Sequence, residues 1–463
     1  MTGHAATEAA ERGTSVQEVA ELIARRCADP ARLAEAITAT ARQSRYADLL
    51  PWRRAGLTTG QAGIAVLCAE MDRHHPGQGW DRTGHEHLAA AAAHATPHDP
   101  SLFSGLAGVG LAAILLAAGR PRYRRLLTTV DTTLAPAVDH ASARLAAADG
   151  CVTADFDLVS GLTGTATYLL TRHRLTGDPT TLTRALSALT HLLETTANPS
   201  SPHPRRWHTP ADLSTGSLRD LYPRGHHNCG LAHGAPGPLA LLSLALIEGI
   251  EVPGCRAAIE ATAAWLTAHH TGTHQEPDWP DAIPLDAPAS PPGRRSSALR
   301  PPGRAAWCYG APGVARSLWL AGTALRRPDW QEPPARTIRA VASRAPETWS
   351  LSTPAFCHGR AGLLQVLRRF ATDLADPALT TTAHTLATAL AAEHDPASVL
   401  GIRSIEPENV LVDHPGLLDG APGIALALLG PPPPSAGPPT GLGSAPAGTG
   451  LPHAAWDRMF LLS

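Results

Sequence analysis

A Gly-x-x-Gly unit leading into an apolar segment occurs seven times along this 463-residue chain. The units run from Gly60 to Gly63, Gly105 to Gly108, Gly161 to Gly164, Gly234 to Gly237, Gly310 to Gly313, Gly359 to Gly362 and Gly420 to Gly423. One such unit carries little information in a chain with 41 Gly. Seven of them, each entering a Leu/Ala-rich stretch such as GVGLAAILLAAG or GIALALLG, define a structural repeat. Successive units start 45 residues apart at the closest (60 to 105) and 76 at the widest (234 to 310), which suits a helical hairpin plus a variable loop.

Glycine lets backbones crowd together and turn tightly. An apolar helix leaving such a turn is buried on most sides. The stretches between units, among them 17–28, 180–194, 256–268 and 379–393, mix apolar and polar residues at helical spacing. About seven buried helices and about seven amphipathic ones predict an all-α protein, an α/α toroid of two concentric layers. Residues 1–50 are expected to form an N-terminal helical segment, part of the toroid or its cap, and 51–463 the toroid itself. A polar insertion at 195–227, a Pro-rich stretch at 270–303 and a Pro/Gly loop at 430–450 interrupt the pattern, the last read as a flexible surface loop. None is read as a separate domain.

Composition narrows the function. Hydrophobic residues make up 43%, enough for a large core, and the formal net charge is -2. A nucleic-acid binder needs a basic excess that this chain lacks. The N-terminus has no basic start followed by an apolar core, and the apolar runs are too short to span a bilayer. A cytoplasmic protein without a transmembrane segment is expected. The seven Cys, at 27, 68, 151, 229, 255, 308 and 357, are too widely and irregularly spaced for a disulfide scaffold.

Two of those cysteines stand apart. Cys308 and Cys357 each come just before a repeat glycine, and His358 follows Cys357 directly. In a toroid such positions converge at one mouth, despite a separation of 49 positions in sequence (308 to 357). Two thiolates and an imidazole form a good Zn²⁺ set with a fourth position open, and soft sulfur favours zinc over magnesium or manganese. His233 precedes Gly234 in the same way and is open to two readings, a fourth ligand or an acid/base beside the metal. Asp157 lies four residues before Gly161 and Arg304 six before Gly310. Alone, these read as a helix cap and a surface or salt-bridge residue. Cys229 is taken as structural. His226, His227, His4, His74 and His75 are taken as solvent-facing.

Several segments together carry a family resemblance: SLFSGLAG at 101–108, FDLVSGLTG at 156–164, NCGLAHG at 228–234, WCYGAPG at 307–313, CHGRAG at 357–362, LLDGAPG at 417–423 and WDRMFLLS at 456–463. From about residue 50 onward the chain resembles the lanthipeptide synthetase C component family, the stand-alone cyclases of class I lanthipeptide biosynthesis. The resemblance implies a toroid and a zinc site of Cys308, Cys357 and His358. It implies acid/base or orienting roles for His233, Asp157, Arg304 and Tyr309, with Trp307 shaping the site. It also implies a small SH2-like module, expected within 195–227. Asp419 stands where relatives commonly carry Glu, a departure read as structural.

The implied reaction is a Michael-type addition of cysteine thiols to dehydroalanine or dehydrobutyrine in a dehydrated precursor peptide, giving lanthionine or methyllanthionine rings. It implies a precursor with a leader and a separate dehydratase, since 463 residues leave no room for one. A transporter and a peripheral place in a membrane-associated complex belong to the same picture, with a monomeric cyclase. Three alternatives remain beside it. A relative that adds glutathione to dehydroamino acids would share the motifs, but Ala/Gly/Pro/Arg richness with scarce Lys fits a GC-rich bacterial gene and favours biosynthesis. A toroidal carbohydrate enzyme would want paired carboxylates and aromatic platforms, against 4% aromatic residues here. A non-catalytic peptide scaffold would have lost the metal ligands, and all are present.

Overall fold

The computed structural model describes residues 14–49, 51–194, 205–214, 217–273, 275–286, 303–431 and 455–463. Each repeat glycine turn opens an inner helix: Gln61–His74, Leu106–Ala117, Leu162–Thr176, Pro236–Ile247, Ala311–Leu325, Arg360–Asp373 and Ala421–Leu429. These helices carry apolar residues round most of their circumference. All twelve residues of Leu106–Ala117 are buried. A second layer is built from Val16–Ala28, Trp80–Ala92, Arg124–Ala147, Thr180–Leu193, Cys255–Ala268, Pro328–Ser343 and Pro377–Ala391. In Val16–Ala28 the buried residues are Val19, Ala20, Ile23, Ala24, Cys27 and Ala28, a single stripe, and Ser15 and Glu18 close a capping box at its start. Two layers of seven helices make the fold an α/α toroid.

Closure joins the two ends of the repeat series. Val16–Ala28 packs against Ala421–Leu429, so the first outer helix covers the last inner one. At the turns the interlock is finer. The second glycine of a unit lies against the carbonyl six residues earlier and under a side chain of the preceding unit. At Gly362 an added Cβ would sit 2.1 Å from the Phe356 oxygen and 3.2 Å from the Trp307 Cβ. The same relation closes the ring, with the Leu417 side chain against Gly63. Glycine therefore recurs because its bare α-carbon is the socket for the neighbouring turn.

The axis is filled by the segment 455–463. Phe460 stacks on Phe356 at 4.0 Å, meets Trp307 edge-on at 5.0 Å and touches Phe103 at 5.7 Å, three residues from different repeats. The Trp307 indole N–H donates to the Phe460 carbonyl. Its charges are satisfied by the inner helices: Asp457 pairs with Arg369 and Gln365, and Arg458 with Glu248. Such buried charges are tolerable only because every one is paired.

The expected interruptions behave differently from one another. Thr209 bridges His226, and His226–Asn228 pairs antiparallel with Ala282–Pro284, so parts of the 195–227 and 270–303 stretches meet in space. His226 and His227 are buried, which corrects their expected exposure: strand pairing turns them inward, and His227 packs against Trp207 and Trp265. His74 is also largely shielded, beside Glu70. His4, residues 432–450 of the 430–450 loop, and 195–204 and 215–216 of the insertion lie outside the described residues. All seven cysteines are free thiols. Among the described residues no helix is long and apolar enough to cross a membrane.

Candidate functional site

The seven turns are stitched into a closed ring by backbone hydrogen bonds at one register. Leu57 and Thr58 N–H donate to Phe103 O, Phe103 to Val159, Leu158 to Ala232, Ala232 to Cys308, Cys308 to Cys357, Cys357 to Leu418, and Leu417 back to Thr58. Cys308 and Cys357 thus hold equivalent places in adjacent turns, joined by a 3.2 Å bond from the Cys308 amide to the Cys357 carbonyl. One residue further on, directly before the first glycine, every turn carries a polar group: Thr59, Ser104, Ser160, His233, Tyr309, His358 and Asp419. Of the candidate residues, His233, Tyr309 and His358 fall on this polar ring, a pattern readable from the repeat register although the motifs alone did not single it out.

The ligand atoms of Cys308, Cys357 and His358 all lie within 4.8 Å of one another, and they form the sole such metal-competent group among the described residues. The Cys357 thiol is held well above its ordinary pKa by the hydrogen bond it shares with Cys308, then by burial and by the negative charges of Cys308 and Asp419, with Arg304 opposing. Two neighbouring thiols beside a carboxylate cannot both ionise unless a cation joins them. The donor set therefore fits a soft, doubly charged ion, and zinc above harder ones. His233 is not one of the grouped ligands, and the fourth-ligand alternative finds no support in the geometry.

His233 is committed elsewhere. Its Nδ1 lies 2.6 Å from Asp157 Oδ2, while Asp157 Oδ1 accepts the Ser160 and Gly161 amides at 2.7 and 2.8 Å. Asp157 caps its turn and holds the His233 imidazole with the same carboxylate. Tyr309 lies beside it, ring centroids 6.0 Å apart, and its phenol is kept protonated by burial. Asn228, which the motif contained but sequence reasoning did not select, donates from Nδ2 to the Tyr309 hydroxyl at 3.0 Å.

The remaining expected residues take other places. Arg304 is exposed, and its charge acts on Cys357 and on Asp281. Trp307 does not face the opening. It is fully buried under the ring and steadies the turn through Phe356 and Phe460. Asp419, read as merely structural, stands next to the cluster with Oδ1 3.6 Å from His358 Nδ1. Adjacent turns bring a carboxylate and an imidazole side by side.

A cleft of about 820 Å³ opens over the ring. It is lined by His233, Cys357, His358 and Asp419 together with Ser104, Ser160, Arg53, His98, His140 and Arg144. An opening of this size is large enough for a stretch of extended peptide.

The sequence profile of the family described as lanthionine synthetase C-like protein matches residues 51–431. The nisin biosynthesis protein NisC of Lactococcus lactis subsp. lactis is 22% identical over 326 residues, covering 68% of this chain and 73% of that protein. A solved structure of nisin cyclase superposes with a TM-score of 0.68 at 17% identity, covering 93% of this chain and 97% of that one. That likeness is one of fold.

Proposed function

Because the chain belongs to the lanthionine synthetase C-like family, we propose that it closes thioether rings in a dehydrated precursor peptide. A cysteine thiol adds across the double bond of a dehydroalanine or dehydrobutyrine, giving lanthionine or methyllanthionine. The observation that carries this reading is the Cys308/Cys357/His358 cluster at the wall of a peptide-sized cleft, with the Asp157–His233 pair beside it.

Zinc bound by Cys308, Cys357 and His358 would supply the Lewis acidity that holds a substrate thiol, ordinarily near pKa 8.5, as thiolate at neutral pH. The chain's own groups manage the rest. The sulfur lone pair forms the bond to the β-carbon, and the π electrons move to the α-carbon and its carbonyl oxygen. One proton leaves sulfur and one arrives at the α-carbon, so the addition is redox-neutral. His233 Nε2 is free to carry that proton because Asp157 holds Nδ1. The Tyr309 hydroxyl donates to the carbonyl oxygen where charge develops, and Arg304 adds positive charge at the rim.

The substrate is a precursor with a leader, dehydrated by a separate enzyme. Residues 51–463 act as one cyclase domain, monomeric and cytoplasmic, alongside a transporter in a membrane-associated assembly.

The test is bound metal per chain in protein purified without added metal, beside Cys357→Ala. Near one zinc in the parent and little in the variant is expected, with cyclisation falling to the uncatalysed rate. Ring closure leaves mass unchanged, so it is read as loss of alkylatable thiol, whereas glutathione addition would raise the mass. Folded parent that holds no metal and regains none from added zinc would falsify the mechanism.

A further inference from the structure

We propose that Asn228 is a positioning residue that turns the Tyr309 phenol so that its proton is free for the substrate. This rests on the cyclase reading above, in which Tyr309 donates to the carbonyl oxygen of the dehydro residue.

Asn228 ends the strand His226–Asn228 and is 4% exposed. The Gly230 amide, which can only donate, lies 3.0 Å from Asn228 Oδ1. That bond settles which end of the side-chain amide is which. Nδ2 is left facing the Tyr309 hydroxyl at 3.0 Å. An amide nitrogen has no lone pair to offer, so the phenol oxygen is the acceptor there. The phenol's single proton must point elsewhere, and among the described residues no protein acceptor takes it.

The same short turn also holds the ring. A Cβ on Gly230 would lie 2.6 Å from both Cδ1 and Cε1 of Tyr309, so the ring rests on the bare α-carbon. Hydroxyl and ring are thus held by two residues of one turn. His233 follows three residues after Gly230, so one segment supplies the imidazole and orients the neighbouring donor.

The experiment is a double-mutant cycle with a dehydrated peptide that the parent cyclises. Asn228→Asp places an oxygen opposite the phenol and captures its proton; kcat should fall about tenfold or more, with KM within about twofold and bound metal unchanged. Asn228→Ala removes the donor to the phenol, together with the acceptor of the Gly230 amide, without capturing the phenol proton; it should cost less, about threefold, and it covers the case in which the aspartate variant does not fold. Tyr309→Phe should lower kcat as far as Asn228→Asp. In the Tyr309→Phe background, changing Asn228 should have no further effect beyond about twofold. Additive losses, or Asn228→Asp with the parent's kcat, overturn the proposal alone. Tyr309→Phe with the parent's kcat removes the donor role in the cyclase reading and this proposal with it.

Discussion

The polar ring has two arcs on one backbone register. Turns four to seven present His233, Tyr309, His358 and Asp419; turns one to three present Thr59, Ser104 and Ser160. Both arcs have the same glycine sockets and the same turn-to-turn hydrogen bonds. They differ in what stands behind each polar group. His233 has Asp157, Tyr309 has Asn228 and His358 has Asp419 within reach. The Thr59 hydroxyl is spent on the Pro51 carbonyl. A toroid thus offers seven equivalent positions, and chemistry arises where a second residue orients the first.

The largest effect on that contrast should come from His233→Ala. It removes the proposed proton carrier without touching Cys308, Cys357 or His358. Cyclisation should drop by about 10²–10⁴-fold, with zinc content unchanged; a loss below tenfold would move the proton transfer elsewhere. Asp419→Asn should come next. Replacing the carboxylate beside His358 should weaken metal affinity by about 10–100-fold, measured by competition with a chelator. Unchanged affinity would return Asp419 to the structural role first assigned to it. Smallest are Ser104→Ala and Ser160→Ala on the quiet arc. Each should leave kcat and bound metal within about threefold and raise KM by no more than the loss of one neutral hydrogen bond, about 1 kcal/mol. A tenfold fall in kcat from either would erase the distinction between the arcs.

Much of the fold was legible because the repeat is a local device. Where the second glycine of a unit presses on the carbonyl six residues earlier, as Gly362 on Phe356, an added Cβ has no room, and the requirement is written in the sequence at every unit. The grouping of Cys308, Cys357 and His358 was legible for the same reason: equivalent register in adjacent repeats implies proximity. His226 and His227 were misread because their burial depends on Ala282–Pro284, a strand contributed from the far side of an inner and an outer helix. The filling of the axis by Phe460 left no periodic trace at all.

By itself the sequence determined seven turns, the inner and outer layers, and the neighbourhood of Cys308, Cys357 and His358. Each follows from spacing along the chain and from sterics within a few residues. Tertiary structure alone decided that Asp157 faces His233, that Asn228 faces Tyr309 across 81 residues, and that Phe460 supports Trp307 from below. Hydrogen bonds depend on distance and direction to fractions of an ångström. No spacing rule conveys that precision between segments the chain brings together only when the ring closes.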